Sequence, residues 1–96
     1  MANIRDLKKD IDYLAYEVIS DCFAAMSVTS DEKVSDQLSE IVADAVKLRN
    51  ELFSRVSYRG DREKAAEVKD YYRKLRRDMI TGADELFTRL SKTVSG

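Results

Sequence analysis

Apolar residues recur along this chain at intervals of three and four, and the recurrence falls into three blocks. In the last block Ala65, Val68, Tyr72, Leu75, Met79, Ala83, Leu86, Leu90 and Val94 are spaced 3, 4, 3, 4, 4, 3, 4, 4. That is the period of one face of an α-helix. Unbroken over residues 61–94, such a helix is about 50 Å long. It cannot bury its own stripe and needs partners. The first block, residues 3–27, carries Ile4, Leu7, Ile11, Leu14, Val18, Cys22 and Ala25, widened on one side by Ala15, Ile19, Phe23 and Met26. A face that broad suits a helix bundle better than a narrow two-stranded seam. The second block, residues 31–57, carries Val34, Leu38, Ile41, Val42, Ala45, Leu48, Leu52 and Val56, with Phe53 beside them.

The polar residues between blocks supply the punctuation. Asn3 is placed to cap the first helix. Thr29 with Glu32 three residues on is a capping-box pattern, and Ser30 is a competing cap. Gly60 suits a helix end and Asp61 a helix start. Connections of two to five residues make consecutive helices antiparallel neighbours. The pattern predicts an all-α, antiparallel up-down-up bundle of three long helices (3–27, 31–57, 61–94) in one domain, residues 1–96. Thr81-Gly82 is the one doubtful point. A mid-helix glycine costs about 1 kcal/mol relative to alanine, and Thr81 with Asp84 could cap a fourth short helix. The apolar phase runs through from Met79 to Ala83 to Leu86, which favours a single helix.

Composition supports this reading. The chain has no proline, only three glycines, 44% hydrophobic and 36% charged residues. Sheets and loop-rich folds want turn residues that are missing here. Residues 1–48 carry a net charge of −5 and residues 49–96 a net of +4. That split fits two halves that pack together, or a basic module with an acidic neighbour. At helical pitch Asp6, Asp10, Glu17 and Asp21 form one line on the first helix, and Arg62, Lys69, Arg73 and Arg76 another on the third. The two lines face each other only if the three helices run anticlockwise, viewed from the N-termini of the first and third. The alternative is two solvated faces.

Most enzyme classes lack their parts. There is no histidine, so no Ser-His or Cys-His nucleophile pair and no imidazole base. Cys22 is the only cysteine, which excludes an intrachain disulfide and a Cys/His zinc site. Its place in the apolar stripe predicts a buried core residue. No Gly-rich phosphate loop and no EF-hand spacing occurs. No catalytic residue, cofactor or metal is expected. The first twenty residues hold no signal-like apolar stretch, and no run approaches a membrane span of about 20 residues. The expectation is a cytoplasmic protein without a membrane segment.

Two surface features remain. Tyr71-Tyr72-Arg73-Lys74-Leu75-Arg76-Arg77 joins four cations to two aromatics, the chemistry of a polyanion site. Against this, Tyr72 and Leu75 are stripe positions and the chain is acidic, with a pI near 5.5. Tyr13, Tyr16 and Tyr71 lie off the stripes, as interface tyrosines do. The third helix also outruns the others, so Ile80, Phe87, Leu90 and Val94 are expected to lack cover and to form an interface.

The segments Ile4-Arg5-Asp6-Leu7-Lys8-Lys9-Asp10-Ile11 and Leu48-Arg49-Asn50-Glu51-Leu52 resemble those of short, uncharacterised all-helical proteins of bacterial genomes. The resemblance implies a helical fold over most of the chain and no activity or site. The functional expectation is a non-enzymatic interaction or structural protein, homodimeric or bound to another helical protein. The alternative is a small nucleic-acid-associated regulator using Arg73, Lys74, Arg76 and Arg77.

Overall fold

The computed structural model describes residues 4–56 and 65–95. Three helices account for nearly all of them: α1 over Ile4–Val28, α2 over Glu32–Val56 and α3 over Ala65–Ser95. Each packs on the other two. The bundle is a rod of 56 × 19 × 19 Å with a radius of gyration of 15.8 Å, against about 12.5 Å for a globular chain of this length. Among the described residues no helix is long and apolar enough to cross a membrane. The expected caps at Asn3, Gly60 and Asp61, and Arg62 of the basic line, lie outside the described residues.

The start of α2 differs in detail from the capping expected at Thr29 or Ser30. Asp31 is the cap: its Oδ1 accepts from the Lys33 N–H at 2.9 Å, satisfying an orphan donor of the first turn. Thr29 Oγ1 instead accepts the Asp31 N–H at 3.3 Å. At the other end of α2, two carbonyls accept hydrogen bonds from α3. Tyr71 Oη donates to the Arg55 carbonyl at 3.0 Å and Tyr72 Oη to the Val56 carbonyl at 3.1 Å.

The core divides into two clusters along the rod. One joins Val18 and Cys22 to Leu38, Ile41 and Ala45 and to Leu86 and Leu90. The other joins Leu7 and Ile11 to Leu52 and Val56 and to Leu75 and Met79. Half-buried Leu48 packs against both. Pairing these in order sets Leu7 against Leu75, Ile11 against Met79, Val18 against Leu86 and Cys22 against Leu90. The offset between α1 and α3 is 68 positions each time. At that offset Ser95 comes level with Ser27, so α1 and α3 end together. The expected overhang at the end of α3 is therefore absent. Leu90 is buried and Phe87 half-buried within the chain's own core.

The helix α3 is continuous through Thr81 and Gly82, so no fourth helix forms. The glycine has a packing reason. A Cβ built there would lie 2.8 Å from Leu48 Cδ2 and 3.0 Å from Cδ1. Leu48 can span the two clusters because Gly82 leaves room for it. Replacing Gly82 by alanine sets a helix gain of about 1 kcal/mol against displacement of Leu48. We expect Gly82→Ala to be near neutral or destabilising alone, and stabilising by about 1 kcal/mol in a Leu48→Ala background. Denaturant titration of the four proteins checks the change of sign.

Ion pairs staple the edges. Arg49 Nε donates to Asp12 Oδ1 at 2.7 Å and its guanidinium lies 4.2 Å from the centre of the Phe53 ring. Arg55–Asp78 at 2.9 Å and Arg89–Asp44 at 2.7 Å join α2 to α3. Partly exposed pairs of this kind contribute about 0–1 kcal/mol each. They also mark which flank of α1 and of α3 is turned to α2. By elimination the Asp10–Glu17–Asp21 line of α1 and the Lys69–Arg73–Arg76 line of α3 flank the seam between α1 and α3. This is the anticlockwise hand. Yet none of these three acids pairs with Lys69, Arg73 or Arg76 among the described residues, and Arg73 reaches Asp70 within its own helix at 3.8 Å. For Glu17 and Asp21 the register explains it: Arg76 comes level with Lys8, about two and a half turns short of Glu17.

Candidate interaction surface

Where the two clusters meet, a space of ≈ 10 Å³ is lined almost wholly by apolar side chains, at the lower limit for one water. Among the described residues no group of three or more His, Cys, Asp or Glu side chains is placed to hold a metal ion. Cys22 is fully buried in the core. Burial pushes its thiol above the ordinary value of 9.0, with a smaller push from the Asp21 carboxylate and an opposing pull from Arg89. The unfolded chain therefore sheds the thiol proton at lower pH than the folded one. This group's contribution to stability is complete below about 9 and is lost as pH rises through the folded value, at up to about 1.4 kcal/mol per pH unit. We expect Cys22→Ala to flatten part of the fall in stability between pH 8 and 10.5. Melting curves of the two proteins across that range check it.

The residues singled out by sequence separate into four groups. Leu90 and Phe87 belong to the core. Tyr71 is half-buried, donates to α2 and meets Tyr72 edge-on with ring centres 5.4 Å apart. Arg73, Lys74, Arg76 and Arg77 are all exposed, and so are Ile80 (59%) and Val94 (58%). The tyrosine that would stack on a base beside the cations is thus engaged within the fold. Ile80 stands two residues from Gly82, about 200° around the helix, on the face of α3 turned away from α2.

The fourth group is different in kind. Tyr13 (64% exposed) and Tyr16 (69%) share the outer side of α1 with Phe23 (58%). Lys9, Tyr13, Tyr16, Ser20, Phe23 and Ser27 follow one another at steps of 4, 3, 4, 3, 4, and all six are exposed. This is a second seam on α1, opposite the one that faces the core, with the heptad spacing of helices that pair side by side. It contains no acid and, beyond Lys9, no charge. Its margin toward α2 continues the pattern. Arg49 pairs with Asp12, so one turn along the antiparallel helices Val46 comes level with Tyr16. Val46 is exposed, and Ile19 and Val42 are half-buried between the two helices. In a chain with 36% charged residues, an uncharged aromatic strip of this length is the composition of an interface centre.

Sequence reasoning placed Phe23 with the buried stripe and overlooked Val46. The 4-3 spacing of Tyr13, Tyr16, Ser20 and Phe23 was the available signal. The two serines hid it, because a stripe is sought among apolar residues alone. No protein-family model matches the chain, and no curated protein or solved structure is significantly similar to it.

Proposed function

We infer that this chain is a non-enzymatic interaction protein that acts through helix-to-helix contact and associates with itself. The observation that carries the reading is the exposed seam from Tyr13 to Phe23, with its apolar continuation at Val46 on α2. Tyrosine and phenylalanine bury large area at low entropic cost, and solvent gains nothing from their exposure. The absence of histidine from the sequence and the apolar lining of the space at the waist of the core support a role without catalysis. A polyanion-binding role for Arg73, Lys74, Arg76 and Arg77 is less well supported, because Tyr71 and Tyr72 are taken up in closing α2.

Light scattering at low and high salt tests the reading. A dimer of stable mass at both is the expected result, since apolar helix pairing is not weakened by salt whereas phosphate binding falls steeply with it. A monomer at tens of micromolar in both would overturn self-association.

A further inference from the structure

We propose that the occupant of the α1 seam is the same seam of a second copy, run antiparallel and crossing at Ser20. This rests on the self-association inferred above and specifies its geometry. A two-fold axis at Ser20 pairs positions whose numbers sum to about 40. Phe23 then lies beside Tyr16 of the second copy, Tyr13 beside Ser27, and Ser20 against itself. Each copy sets Tyr16 and Phe23 against Phe23 and Tyr16 of the other, and the smallest side chain of the seam's middle stands where the helices approach most closely.

Charge chooses between the two directions of pairing. In a parallel arrangement Lys9 meets Lys9 of the second copy. In the antiparallel one it extends past the end of α1 at Val28, toward the turn that carries Asp31, the cap of α2. Both are exposed, and Asp31 uses one oxygen for the Lys33 N–H and keeps the other for a cation. The uncharged middle sets no like charges together, which is what pairing of a surface with itself requires.

The test is directed cross-linking in a Cys22→Ala background, with diamide as oxidant. Antiparallel crossing at Ser20 predicts that Ser20→Cys forms a disulfide-linked dimer and Ser27→Cys does not. Cross-linking of both would mean a parallel seam and overturn the proposal. A dimeric mass with neither cross-linked would also overturn it while leaving self-association standing; a monomeric mass would remove both. Independently, Phe23→Glu is expected to weaken dimerisation about a hundredfold or more, while Ile80→Glu leaves it unchanged. Circular dichroism shows that both variants are folded. The reverse ranking of these two substitutions would place the interface on α3 and overturn the proposal.

Discussion

Ile41→Ala is expected to remove about 2–5 kcal/mol of folding stability. Ile41 is 1% exposed and shares its cluster with Val18 and Cys22 of α1 and Leu86 and Leu90 of α3. It lies where all three helices meet. Truncation loses the transfer energy of the removed carbons and leaves a space that three long, mutually braced helices cannot close. A domain of this size is stable by about 5–15 kcal/mol in all. At about 4–8 °C per kcal/mol, the loss lowers the melting temperature by about 8–40 °C. The same kind of truncation at exposed Val46 is expected to stay within about 0.5 kcal/mol. Both are read from denaturant midpoints at one fixed protein concentration, since association adds stability by mass action. A loss under 1 kcal/mol at Ile41 would mean that α2 is not held from both sides.

The contrast between Ile41 and Val46 also shows what was legible in the sequence. The three- and four-step periodicity located all three helices because packing follows the same period. The phase of Met79, Ala83 and Leu86 carried α3 through Gly82 because the helix keeps its buried face there. What the glycine does was not legible. The need for a small residue arises from Leu48, 34 positions earlier in the chain, and only the register of α2 on α3 brings the two together.

The interface residues divide along the same line. Leu90 and Phe87 were expected to lack cover because α3 is the longest helix. Length alone does not say at which end the surplus falls. The pairing of Cys22 with Leu90 puts the ends of α1 and α3 level, so the surplus is at the start of α3. Tyr71 was placed off the stripe correctly, but a hydroxyl that reaches a neighbouring helix terminus is a tertiary fact. Phe23 was assigned to the core because it sits one step beyond Ile19 and Met26. Burial on a helix falls away with angle, and α2 covers α1 only as far as half-buried Ile19. Tyr13 and Tyr16 were legible as surface aromatics. Their continuity with Ser20 and Phe23 became visible only once the core face of α1 was fixed and the opposite face could be followed by itself.

One helix thus carries two seams, and they respond oppositely to a charge. A charge at Phe23 is expected to act on association. Val18→Asp, on the inner seam, is expected to act on folding, at a cost of about 3–5 kcal/mol or more at pH 7. Val18 is fully buried, and the buried members of its cluster are aliphatic side chains and the Cys22 thiol, with no cation among them. The lost packing is one part of the cost; the other is taking a carboxylate out of water with nothing to pair it. The second part depends on pH. Burial raises the introduced group's folded value above the ordinary 3.9 or so of an aspartate. The folded state then binds more protons than the unfolded state between the two values, so stability falls as pH rises through that window and recovers as pH is lowered. The variant should be more stable near pH 4.5 than near pH 7, relative to the native chain at each pH. Val18→Ala, which removes packing without adding charge, should show no such difference. Thermal melts of the three proteins at both pH values decide it. Equal losses for Val18→Asp at the two values would mean that the side chain escapes to solvent, and that α1 can turn about its axis at little cost.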